Sequence, residues 1–169
     1  MAMSCSLDAS GVEVMSVSDE PGDVMRTGYV ETKVGGNPEL DIISLTSSES
    51  ISELTIIMEL AADLEQEVGY LYTITVSGIH VSYQEGELEV WRIGSELQPI
   101  DSVLTDVTGN EMTVIVKKTA IMGPFVMNGT SNRYVVDWSK GMTSESFFDL
   151  VGEVEGSRAP TVGDYTKSY

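Results

Sequence analysis

The chain has 169 residues and sets 27 acidic side chains against nine basic ones, a formal charge of −18 with an isoelectric point near 4.1. That length suits one domain with a real core, since about 150 residues bury roughly 70% of their unfolded surface. The charge excludes phosphate backbones and anionic lipid headgroups as partners. No apolar run approaches the roughly 20 residues that span a bilayer, so neither nucleic acid binding nor direct membrane insertion is expected.

In chain order, residues 1–11 read as a flexible arm of small polar character, with the lone cysteine, Cys5, unable to form an internal disulfide. Val12 to Val17 (VEVMSV) is the first expected strand. It runs into the turn Ser18 to Asp23 (SDEPGD), where proline fixes φ, glycine permits the reversal and the acids can bond their own backbone. Asp19, Glu20 and Asp23, with Asp41 further on, are the candidate ligands for Ca²⁺, which takes six to eight oxygens. Their spacing is not that of an EF-hand loop. Strands follow at Tyr29 to Val34 and at Leu40 to Leu45, the second ended by the serine cluster Thr46 to Ser50.

Ser50 to Val68 admits two readings. Ser50 and Glu53 form a capping-box pattern ahead of a helical stripe of Leu54, Met58, Ala61 and Leu64. Leu54, Ile56, Met58 and Leu60 alternate equally well, and the β-branched Thr55, Ile56 and Ile57 between neighbouring strands favour a strand. From Leu54 to Ile93 the chain then reads as a meander of consecutive strands, LTIIMEL, YLYTITVSG, IHVSYQ and ELEVWRI. Ser77-Gly78 and Glu85-Gly86 supply the breaks between them. His80, the only histidine, excludes a multi-histidine zinc or iron centre.

Beyond Gln98-Pro99, Val103 to Val107 is a weaker strand and Met112 to Thr119 a strong one. Gly123 to Gly141 keeps no period and is expected to be a long loop with a short strand at Tyr134 to Asp137. Asn128-Gly129-Thr130 is an N-glycosylation acceptor, which a surface loop of an exported protein would present. Phe147 to Val154 is a last strand or a short helix, and residues 156–169 read as a tail or linker. The whole implies an all-β fold over residues 12–155, an antiparallel β-sandwich of about eight to ten strands, jelly-roll or immunoglobulin-like, with little helix.

The stretches DEPGDV, ELDIISLTSSES, LTIIMEL, YLYTITVSG and IHVSYQEGELEVW, spread over Val14 to Trp138, resemble a pattern in exported archaeal proteins. Those proteins are similar to sandwich modules of the DOMON and family-9 carbohydrate-binding type. The resemblance implies a β-sandwich, often part of a larger cell-surface chain, with sugars, haem or calcium as ligands in different branches. The chain departs from the haem branch by lacking axial ligand pairs. Its two tryptophans, Trp91 and Trp138, are the candidate residues for stacking on a sugar ring, but they do not form the close pair of a sugar clamp.

Neither a G-x-S-x-G elbow nor a glycine-rich phosphate loop occurs, so no enzyme activity is expected. The expected function is that of an extracellular or cell-surface binding or accessory module, stabilised by calcium, with a carbohydrate or protein partner. The alternative is a structural subunit that polymerises when a terminal strand, such as Val12 to Val17, completes a neighbour's sheet edge.

Overall fold

A computed structural model describes residues 12–27, 32–33, 36–92, 102–121, 124–137, 143–152 and 167–168. They form an antiparallel all-β sandwich of two main sheets, with one short 3₁₀ turn at Lys118–Ala120. The first sheet contains β1 (Val12–Ser18), β4 (Ile42–Glu49), β5 (Glu53–Leu60), β9 (Val103–Thr108) and β10 (Glu111–Lys117), in the order β1-β4-β5-β10-β9. The second contains β2 (Met25–Thr27), β3 (Thr32–Lys33), β6 (Tyr70–Val76), β7 (Ile79–Gln84), β8 (Glu87–Arg92), β12 (Met127–Asp137) and β13 (Thr143–Gly152). Its order is β3-β2-β13-β12-β6-β7-β8. A separate pair joins β11 (Pro124–Phe125) to β14 (Lys167–Ser168), two residues of the stretch read as a tail.

The meander forms because its side chains alternate. In β5 and β6 every second residue is buried: Leu54, Ile56, Met58 and Leu60 face Tyr70, Tyr72, Ile74 and Val76 across the core. Ser50 to Leu60 is therefore not helical. The Ser50 Oγ still accepts the Glu53 N–H at 3.1 Å, and the Ser50 N–H donates to the Glu53 carbonyl at 2.9 Å, closing the β4–β5 hairpin instead of capping a helix. Both central residues of the next two hairpins have positive φ, Ser77 (44°) with Gly78 (80°) and Glu85 (53°) with Gly86 (83°). Such turns match the right-handed twist of the strands they join.

Two stretches differ from their reading in the sequence, and a third takes one of its two alternatives. β4 continues through the serine cluster to Glu49, because β1 and β5 pair it on both sides and Ser47 fills a core-facing position at 2% exposure. Phe147 to Val151, within the stretch read as a last strand or a short helix, belongs to the ten-residue strand β13. The expected long loop from Gly123 contains the eleven-residue strand β12, held between β6 and β13. Asn128 accordingly sits in that strand, opposite Thr75 and Gly152, and not in a surface loop. Gly129, next to it, is buried against both sheets: a Cβ there would stand 2.6 Å from the Met58 Sδ and 3.1 Å from the Val151 Cγ1.

Candidate functional site

One short segment, Glu39 to Ile42, stitches the sheets together and builds the site. The Glu39 carbonyl accepts the Tyr72 hydroxyl at 3.0 Å, and the Leu40 carbonyl accepts the Ser131 hydroxyl. The Asp41 carboxylate takes the Gly22 N–H with both oxygens, at 2.8 and 2.9 Å. The Ile42 N–H donates to the Asp149 Oδ2 at 2.7 Å across 107 residues of sequence. Asp41 thereby shapes the turn after β1, and Asp149 is drawn from β13 to the start of β4.

That turn carries the chain from the edge of the first sheet to β2 of the second. Its reversal rests on Gly22, whose φ is 78°. The Asp19 N–H remains paired with the Ile43 carbonyl at 3.1 Å, and the Asp19 Oδ1 accepts the Glu20 N–H at 2.9 Å. The other oxygen, Oδ2, is buried and has no hydrogen-bond donor among the described residues. Asp19, Asp23 and Asp149 each bring a carboxylate oxygen to within 4.8 Å of the others.

The electrostatics follow from this crowding. Asp149 is 4% exposed, and burial pushes its carboxyl up to about 7, against the two N–H bonds from Ile42 and Leu150 that favour the charged form. Burial likewise raises Asp19 to about 6, opposed by the Glu20 N–H, with Asp23, Asp41 and Glu20 adding repulsion. Two oxygens bound on opposite sides of one Ca²⁺, each at about 2.4 Å, stand twice that distance apart. The three aspartate oxygens, all within 4.8 Å of one another, are close enough for one such ion to reach. An oxygen-only set of this kind suits hard cations.

Of the ligands expected from sequence, Asp19 and Asp23 come together here, Asp41 spends its carboxylate on the turn backbone, and Glu20 is exposed. Asp149 was missed. Its signal is its parity: Phe147, Asp149 and Val151 share one face of an apolar strand, so the acid stands in a core-facing position. Trp91 lies opposite His80, the two rings stacked at 5.4 Å between centroids with 13° between planes. The His80 Nδ1 is 2.9 Å from the Thr75 Oγ1, and burial lowers the tendency of this imidazole to charge. Trp138 lies outside the described residues.

No family model, no curated protein and no solved structure matches the chain. Among the described residues no helix is long and apolar enough to cross a membrane.

Proposed function

We propose that this chain is a non-catalytic β-sandwich binding module of an extracellular or cell-surface protein, in which Ca²⁺ at Asp19, Asp23 and Asp149 locks the two sheets together. The observation that carries the reading is the convergence of those three carboxylates at the junction of the sheets, one oxygen of Asp19 being buried with no donor among the described residues. Like charges this close are unfavourable unless a proton or a cation lies among them. A cation held there would bridge the turn after β1 to β13, joining the edge of one sheet to the middle of the other. Extracellular modules bind Ca²⁺ with dissociation constants of about 10⁻⁴ to 10⁻³ M, and the charge of −18 is in keeping with such a setting.

Calorimetry and thermal melts with Ca²⁺ at pH 7.5 test this, on the wild type and on Asp149→Asn. The expected result is one bound Ca²⁺ and a rise in Tm in the wild type, with both lost in the variant. Binding that is weak, multiple and unchanged in Asp149→Asn would reduce the cluster to general counterion attraction and remove the reading.

A further inference from the structure

The edge of the second sheet has its own chemistry. β8 pairs with β7 through all six residues, Glu87 to Arg92, with no bulge, and among the described residues it has a strand on that side only. A regular edge of this length offers backbone N–H and C=O groups to another strand. The other edges are less suited. β1 carries a register shift between Glu13 and Met15, β3 has two residues, and β9 exposes Leu104 with a single acid, Asp106.

The side chains of β8 fall into two rows. Leu88 and Val90 pack against the core, while Glu87, Glu89 and Trp91 lie on the outer face, opposite Gln84, Ser82 and His80. Glu85, Glu87 and Glu89 line a cavity of about 260 Å³ with Gln84, on the same side of the hairpin. The indole of Trp91 stacks on His80 of β7, so its second face is turned away from β7. Natural edges are often protected by lysine; this one carries glutamates.

We propose that β8 is a docking edge for an extended basic segment of another protein, which adds to the sheet as a further strand. Lysine or arginine side chains at alternate positions would meet Glu87 and Glu89, and a third would lie over the face of Trp91 turned away from His80. The positions between them would be apolar, continuing the row of Leu88 and Val90. The charge selects the occupant. A second copy of this chain brings another −18, and nowhere in its sequence do two basic residues stand two apart, as one face of a strand requires. The partner is therefore a different protein, recognised by backbone pairing and by an alternating basic and apolar pattern.

The probe is a synthetic eight-residue peptide of alternating Lys and Val, followed by fluorescence anisotropy and by amide exchange of the full chain. The control carries the same charges but is N-methylated on the residues that would bond to β8. The expected result is binding at one site, slower exchange confined to residues 87–92, and loss of binding with the methylated control. The double variant Glu87→Gln/Glu89→Gln, at exposed positions, should weaken binding on the order of tenfold. Added salt should weaken it further. Equal binding of the methylated peptide, or an unchanged affinity in the double variant, would overturn the proposal by showing unspecific attraction to an acidic surface. So would quenching of Trp91 by a neutral oligosaccharide in the absence of any peptide effect, which would make this face a glycan site.

Discussion

Two clusters of polar atoms are buried between the same sheets, and they solve the problem differently. Around Tyr72 the polar groups are neutral and bonded: its hydroxyl donates to the Glu39 carbonyl and accepts the Glu65 N–H, both at 3.0 Å. Burial raises the tyrosine far above its usual range, so it remains a neutral hydroxyl. Tyr70 and Tyr83 flank its ring at 6.4 and 6.3 Å. At the aspartate junction three acids converge, two with strongly raised pKa values, and one oxygen of Asp19 has no donor among the described residues. The first cluster is complete within the chain. In the function proposed above the second is completed from solution, by a proton or a cation, and would be the responsive end of the molecule.

The largest expected effect lies at the complete end. Tyr72→Ala should cost about 3–5 kcal/mol, through the cavity it leaves in a fully packed core. Tyr72→Phe should cost about 1–3 kcal/mol, because the Glu65 N–H and the Glu39 carbonyl lose their partner. Urea unfolding at pH 5 and pH 7.5 measures both, and the losses should be equal at the two pH values. A loss that changed with pH would mean that this cluster also answers to protons.

The aspartate end should do the opposite. Asp19 and Asp149 titrate near 6 and 7 in the folded chain, against about 3.9 when unfolded. Between those values the folded state holds more protons than the unfolded one, so the contribution of this pair to stability is greatest below about pH 4 and is lost as pH rises through about 7. In EDTA the wild type should therefore lose Tm between pH 5 and 7.5 relative to Asp19→Asn/Asp149→Asn. Saturating Ca²⁺ should restore stability at pH 7.5, by about 2.7 kcal/mol at a hundredfold excess over Kd. The gain should be smaller at pH 5, where protons compete. Parallel pH curves for wild type and double variant would erase the distinction between the two regions.

The contrast also explains what the sequence made legible. β5 to β8 could be read directly, since a strand with one dry face and one wet face alternates. β12 could not, because its core-facing positions include Gly129 and Ser131: a side chain at Gly129 would crowd the Met58 thioether and the Val151 side chain, and Ser131 bonds the Leu40 carbonyl. Steric closeness and a long-range hydrogen bond replaced hydrophobicity there, and neither leaves a periodic trace. The serines of β4 misled for a related reason, Ser47 being small enough to sit in the core. The acidic turn was legible as half a site. Its other half, Asp149, arrives by pairing between distant strands, and only its parity in FFDLVG points to it.

A subtler change tests whether the unpartnered oxygen of Asp19 matters. Asp19→Asn keeps the acceptor for the Glu20 N–H and replaces Oδ2 by an amide donor facing neighbouring carboxylates. Metal-free stability at pH 7.5 should rise by about 1 kcal/mol, while the Ca²⁺ response weakens. Calorimetric melts in EDTA and in Ca²⁺ measure the two together. If stability falls in both, the oxygen has a donor in solution and the junction is as complete as the tyrosine cluster.

The smallest expected effect checks whether the two regions are electrostatically separate. The Arg133 guanidinium lies 5.0 Å over the Tyr70 ring, and the Tyr70 hydroxyl donates to the Glu39 Oε1 at 3.3 Å. Arg133 is the register partner of Tyr70 on one side of β12 and of Phe147 on the other, so the cation over the Tyr70 ring belongs to the tyrosine end. Arg133→Gln should cost about 0.5–1 kcal/mol and leave the Ca²⁺ shift and the pH slope as they were. A changed calcium response would show that this cation offsets the aspartate charges from across the sheet. The difference between the regions would then lie in the field they share, not in which of them carries its own hydrogen-bond partners.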